Sequence, residues 1–293
     1  MGTSLDLFLR AAWADHGDRP QEVADRLAAS VGLIQAGKEF APYVRLLVHV
    51  HGEHLGQWQN AVGLLERLRA LPAAEGSPEI DGLIDQAVAT MRLASGDATA
   101  LDALPTDARV SALAMASSAF AAHNNLQQAI AAYERALQQA AAGLPDGSPA
   151  FRALAVAGNN LAVALEGKPD RDAIQTKAML TAAEGGLKYW KLAGTWLEEE
   201  RAEYRLARSQ LQAGKTREAV ASARRCIALC RKNAAPAFEQ FFGFAALALA
   251  QRGAGEREAS DANRDEAMRQ LELVPGEERQ WCSAVLAELS AAT

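Results

Sequence analysis

Apolar residues recur along most of the chain in steps of three and four, the spacing that places side chains on one face of a helix. No segment shows a sustained alternation of apolar and polar residues, so strands are not expected. The segment from Asn124 to Leu137 reads as a tight turn followed by the second helix of a helical hairpin. The layout returns where Leu55-Gly56-Gln57-Trp58-Gln59-Asn60-Ala61 leads into Leu64, Leu65 and Leu68. It returns again where Ala213-Gly214-Lys215-Thr216-Arg217-Glu218-Ala219 leads into Ala223 and Ile227. Helix starts are marked by Ser77-Pro78 and Ser148-Pro149, which set a capping hydroxyl before a proline whose missing N–H is not needed in the first turn, and by Pro236. Gly17, Gly56, Gly96, Gly143 and Gly214 mark stops, because glycine accepts the left-handed conformation that closes a helix. These signals predict helices over 4–15, 20–35, 39–55, 57–70, 78–95, 107–123, 125–142, 149–166, 170–192, 195–213, 215–232, 235–252, 256–273 and 276–290, with a short, weak one over 98–104.

Ala61, Ala129, Ala219 and Ala259 each open the packing stripe of a second helix, and Ala173 or Ala178 takes that place in a further one. The implied repeat drifts around a length of about 34–45 residues. Helix pairs of that size cannot bury their apolar faces alone and must stack on neighbours. Leu113-x2-Ala116-Ser117-x2-Phe120 followed by Ala129-x3-Tyr133 resembles the tetratricopeptide repeat pattern with conservative replacements. Glu203-x2-Leu206-Ala207-x2-Gln210 followed by Ala219-x3-Ala223 is a poorer match, with polar Glu203 and Gln210 in apolar slots. Asn159-Asn160-Leu161-Ala162-Val163-Ala164-Leu165 resembles the first helix of the longer repeats of kinesin-light-chain-type proteins. The resemblance implies an all-α, right-handed superhelical solenoid of about six or seven hairpins with a capping helix near 276–290. It also implies one array over 1–293, degenerate over 1–104 and clearer over 105–293.

Composition narrows the function. The 293-residue chain is 49% hydrophobic and 23% charged, which excludes both a disordered and a membrane-embedded chain. A net charge of −6 argues against a nucleic-acid partner, which needs a basic field. No apolar run is long enough to span a bilayer, so no membrane partner is expected. The three cysteines contain no CxxC pair, and Cys226 and Cys230, one helical turn apart, do not favour a disulfide. With an N-terminus that lacks a secretory layout, this points to a reducing, cytoplasmic setting.

Candidate chemistry is sparse. Gly32 to Glu39 and Ser209 to Thr216 approximate a phosphate loop, but both follow a predicted helix where a strand is required. In an α-helix His51 and His54 would share a face while His49 would align with Glu53, which makes His51 and His54 weak metal candidates. Arg201, Arg205, Arg208 and Gln212 form a basic stripe beside the apolar stripe that includes Tyr204. In tetratricopeptide repeats the first helix of each pair lines a concave groove. The resemblance therefore makes Asn159, Asn160, Arg201, Tyr204, Arg205, Arg208 and Gln212 candidates to hold a peptide, the arginines by forked hydrogen bonds to carboxylates. The bland reading of the arginines is a solvated flank paired with residues such as Glu198. Phe238, Phe241, Phe242 and Phe244 exceed what one buried face holds and suggest either inter-repeat packing or an apolar partner surface.

No nucleophile elbow, dinucleotide fingerprint or Cys/His nucleophile pair is present, so no catalytic residue and no cofactor is expected. The expected function is non-catalytic binding of a protein or peptide segment. The alternatives are a small-molecule-sensing array of the kind found in bacterial regulators and a metal-dependent enzyme built on His51 and His54.

Overall fold

The computed structural model describes residues 4–291; residues 1–3 and 292–293 of the expected array lie outside it. Among the described residues there are fourteen α-helices and no strand. The chain divides into two compact units, one ending at Ala157 and the other starting at Gly158.

In the first unit, α1 (Ser4–Asp15) and α2 (Pro20–Ser30) form a hairpin, as do α3 (Phe40–Val48) and α4 (Trp58–Arg69). The chain continues through α5 (Pro78–Ala94), α6 (Thr106–Ala122) and α7 (Leu126–Ala140) into α8 (Pro149–Glu166), whose second half belongs to the second unit. Helix α5 packs on α4 and α6, and α6 pairs with α7. Tyr43, Phe40, Leu46, Leu47, Leu65, Leu68 and Met91 are fully enclosed in this core.

The helix expected over 98–104 is a series of turns. The Asp97 carboxylate accepts hydrogen bonds from the Thr99 backbone N–H and hydroxyl, at 3.0 and 2.8 Å, and offers the backbone an alternative to a helical first turn. Leu101 and Leu104 still reach the core. The helix expected over 39–55 changes character at its end, where His49–His54 is a π turn. The helix expected over 276–290 begins as α14 only at Ser283, after a 3₁₀ turn at Arg279–Cys282. Arg279 donates to Glu272 O and Val274 O there, closing the preceding helix.

The second unit continues with α9 (Ala173–Ala193), α10 (Trp196–Gln212), α11 (Thr216–Lys232), α12 (Ala237–Gly253), α13 (Arg257–Leu273) and α14 (Ser283–Ser290). Helices α10/α11 and α12/α13 are hairpins. Helix α12 also packs on α10, α11 and α14, so each first helix touches both its partner and the next first helix, as stacked repeats require.

The hairpin turns share one geometry. Gly56, Asn124, Gly214 and Gly255 have φ of 62°, 57°, 73° and 80°, and each is followed by a residue near φ −85°, ψ 60° that starts the next helix. The N–H of Asn125, Lys215 and Glu256 reaches back to the carbonyl of Phe120, Gln210 and Gln251 at 2.8–2.9 Å, satisfying an otherwise orphaned acceptor. In α4, α7 and α11 the fourth residue is Ala61, Ala129 or Ala219, each fully buried. In α13 the fourth residue is Ser260, not the expected Ala259. Ser260 is buried and donates to Ala248 O at 2.8 Å. In α9, Ala178 is buried while Ala173 is exposed.

Gly194 sits between α9 and α10 where a Cβ would lie 2.9 Å from both Trp190 O and Glu198 Cβ. Gly194→Ala should therefore destabilise the protein by about 1–3 kcal/mol. Gly63→Ala, in the exposed middle of α4 with open space around it, should instead stabilise by about 0.5–1 kcal/mol. Urea denaturation of the two variants checks the pair.

Candidate functional site

Helix α10 starts with a reciprocal cap. Thr195 Oγ1 accepts from Leu197 N at 3.3 Å, and Glu198 accepts from Thr195 N at 2.8 Å. From that fixed start the stripe Arg201, Tyr204, Arg205, Arg208 runs down the helix. The structure does not leave it as a free basic surface. The Arg201 guanidinium is forked onto Glu239 of α12, and Arg205 pairs with Glu166 of α8. Arg208 donates to both oxygens of Glu288 on α14 at 2.8 Å. Ser209 adds a 2.6 Å hydrogen bond to Glu166.

A cavity of about 280 Å³ opens within the second unit, lined by Asn159, Glu200, Arg201, Tyr204, Arg205, Phe238, Glu239 and Phe242. Its aromatic side is edge-to-face packed, with Tyr204–Phe242 at 5.6 Å and Phe238–Phe242 at 5.1 Å between ring centres. Phe241 and Phe244 are buried in the core behind it. The four phenylalanines thus divide into two wall residues and two core residues.

Asn159, Arg201, Tyr204 and Arg205 come together in the cavity, and Asn160, Arg208 and Gln212 do not line it. Arg208 is buried and turned to α14. Gln212 accepts from Arg171, whose other nitrogen donates to the carbonyls of Leu165, Glu166 and Lys168 and closes α8. A four-residue step on a straight helix drifts around its axis, so the far end of the stripe faces different neighbours from the near end.

The carboxylates are the part that sequence inspection passed over. Glu239 lies 38 residues after Arg201, and Glu166 lies 39 before Arg205. Each spacing is about one repeat, and opposite charges at equivalent positions of adjacent repeats were the available signal. Glu203, in an apolar slot of the repeat pattern, is buried and accepts from Arg225 at 2.9 Å, with Lys191 at 3.6 Å. Gln210, in the other such slot, accepts from Ser222 at 2.8 Å.

Glu200 forms the floor of the cavity. It is 1% exposed, and the Cys226 thiol donates to its Oε1 at 2.8 Å, with Cys230 at 3.5 Å. All three cysteines are free and buried. Burial pushes the Glu200 carboxyl up to about 7, opposed by the Cys226 thiol and reinforced by Glu239. The hydrogen-bonded Cys230 thiol, then burial and the neighbouring Glu200 carboxyl, push Cys226 well up, so it is no thiolate nucleophile.

The other sequence candidates take structural places. Glu39 Oε2 accepts the N–H groups of Gln35 and Ala36 at 2.8 and 3.0 Å, occupying donors that a phosphate would need. Gly214-Lys215 is a hairpin turn. The structure separates His51 from His54. His51 is buried, whereas His54 Nε2 lies 3.2 Å from His49 Nε2. The π turn is the cause, since its wider ring, with more residues per turn, brings residues five apart together and removes the face that His51 and His54 would share in an α-helix.

Fold and site together define an all-α helical-repeat protein with an amphipathic cavity in its second unit. Its neighbours among solved structures are TPR-like repeat proteins. Two crystal structures of a Podosopora anserina kinesin light chain protein with nearly identical TPR-like repeats, one a point variant, share 18% and 17% identity with this chain. They superpose with TM-scores of 0.48 and 0.49, covering 78% and 85% of this chain and 92% and 96% of their own. The Signal Transduction ATPase with Numerous Domains protein with a tetratricopeptide repeat sensor from Pyrococcus horikoshii is 10% identical, with a TM-score of 0.49 over 92% of this chain and 42% of that one. At these values the likeness concerns the course of the chain alone. No family model matches the sequence, and no curated protein matches it. No helix among the described residues is long and apolar enough to cross a membrane.

A buried acid whose pKa is raised on folding stabilises the protein below its unfolded value and loses that contribution as pH rises through its folded value. For Glu200 this window runs from about 4.5 to about 7. Thermal stability should fall across it, and Glu200→Gln should flatten the decline. Melting temperatures of both proteins from about pH 5 to about pH 8 check this.

Proposed function

We propose that this protein is a non-catalytic binding module whose second unit takes a peptide or protein segment in the cavity between α8, α10 and α12. The observation that supports this is the cavity itself. Two phenylalanine rings and Tyr204 form an apolar wall, while Asn159 and the half-exposed Arg201 stand among its polar lining. An apolar or aromatic side chain of the partner enters against Phe238 and Phe242. Asn159, with one donor pair and one acceptor, bonds the partner's backbone.

The arginines shape this specificity differently from a carboxylate clamp. Arg201 and Arg205 are already matched by Glu239 and Glu166, so an acidic peptide would have to displace a formed ion pair. The site therefore favours an apolar anchor with a neutral backbone over an acidic terminus. The volume, near the lower end of ordinary ligand pockets of roughly 300–1,000 Å³, suits one side chain rather than a cofactor. Single-array continuity over residues 1–293 and a cytoplasmic setting form part of the same reading.

A peptide array probed with the full chain tests it. Bound peptides should share an aromatic or aliphatic anchor, and Asn159→Ala with Arg201→Gln should weaken them about tenfold or more with helicity unchanged. Arg208 is excluded from that variant, because losing the pair that this buried arginine makes with Glu288 would disturb α14. Peptide binding insensitive to both substitutions would remove the cavity assignment. A metabolite that raises the melting temperature through these residues, with no peptide bound, would move the reading to sensing.

A further inference from the structure

The first unit gathers three imidazoles outside the cavity. His16 follows the end of α1, and His49 and His54 are the first and last residues of the π turn. Their ring centres lie 5.0 Å (His16–His49), 5.0 Å (His16–His54) and 4.8 Å (His49–His54) apart. One nitrogen from each falls within 4.8 Å of the others.

Two of the rings are oriented from behind. His16 Nδ1 donates to Trp13 O at 2.6 Å, which leaves its Nε2 bare. His49 Nδ1 bonds the Glu53 carboxylate at 3.1 Å, which turns its Nε2 toward His54. Carbonyl and carboxylate acceptors of this kind fix the tautomer and raise the basicity of metal-bound histidines. Trp13 stacks on His49 at 5.3 Å and 29°, holding the ring's plane.

The ring-centre distances match a single ion. Three imidazoles bound through one nitrogen each to a tetrahedral ion at ~2.0–2.1 Å have nitrogens about 3.3 Å apart and ring centres about 5 Å apart. The His49–His54 nitrogen separation is 3.2 Å. An α-helical course through 49–54 would not set these two rings together, because only the five-residue turn aligns them. Single π turns inside α-helices occur often at functional sites.

We propose that His16, His49 and His54 form a binding site for a divalent transition-metal ion of the Zn²⁺ class, with Glu53 and the Trp13 carbonyl as outer partners and water in the fourth position. Imidazole nitrogens suit zinc, nickel and copper over magnesium or calcium. The bound ion ties the end of α1 to the end of α3. This site is independent of the peptide-binding reading, and either can fail without the other.

Zn²⁺ titrated into the untagged full chain against a chromophoric chelator tests it. The expected result is one equivalent bound, with a rise in melting temperature. His16→Ala and His54→Ala should each weaken binding at least about 100-fold, and Glu53→Gln about 10–100-fold, with helicity unchanged. Cys226→Ser with Cys230→Ser should leave the affinity as it is. Co²⁺ or Cu²⁺ should quench part of the tryptophan emission, and Trp13→Phe should remove that part. Weak binding of several equivalents, or tight binding that survives either histidine substitution, would overturn the site.

Discussion

Everything in these repeats depends on how closely two helices approach at one small residue. Ala61, Ala129 and Ala219 occupy the fourth position of their helices with no exposed surface. A larger side chain there would hold the paired helices apart and leave the leucines and isoleucines on either side without contact. Where Ser260 takes the place, its hydroxyl is as small as the site needs and finds Ala248 O. Ser117 does the reverse from the first helix, donating to Ala129 O at 2.8 Å. Gly243 of α12 serves the same end, since a Cβ there would meet Cys226 and Ile227 at 3.2 Å. Turn geometry then sets the register, because one left-handed residue and one reaching N–H start each second helix at a fixed angle.

The second unit departs from an apolar stack in a consistent way. Its helix α10 carries Glu200, Glu203, Arg208 and Ser209 into buried positions, each with a named partner. Buried charges are costly unless paired, and the pairs join helices far apart in sequence. They add direction where alanine-rich surfaces would slide. The cavity is a by-product of the same arrangement: ion pairs at its rim hold α8, α10 and α12 at a distance that the aromatic rings do not fill.

The first unit breaks its own pattern at one place. The π turn after α3 carries an extra residue, and its hydrogen bond runs from Leu55 N to Val50 O. Gln57 N accordingly reaches back to His51 O, one residue further than in the other hairpin turns. His51 is carried into the core and His49 is brought against His54 and His16. Local irregularities of this kind are where function is expected to concentrate.

Helix positions were legible because their causes are local. Three-and-four spacing, proline at the first turn and glycine at the stop act within a few residues, so α1, α8, the start of α5 and the end of α11 fall where those signals place them. The cavity was legible in part: Arg201, Tyr204, Arg205 and Asn159 converge, since one helix face and one preceding helix can be read from periodicity. Their carboxylate partners, the diversion of Arg208 to α14 and the burial of Glu200 against two thiols were not, because charge pairing across repeats depends on which residues stacking brings within 4 Å. The histidine cluster shows the limit most clearly. Its members were visible as residue types, but a single added residue per turn rotates side chains by a large angle, and the turn is packed against Met91 and His123, which lie far along the chain. Sequence alone thus determined the rods and their repetition, through short-range backbone preferences. Tertiary structure decided which polar groups meet, because those meetings are set by distances between segments that share no local signal.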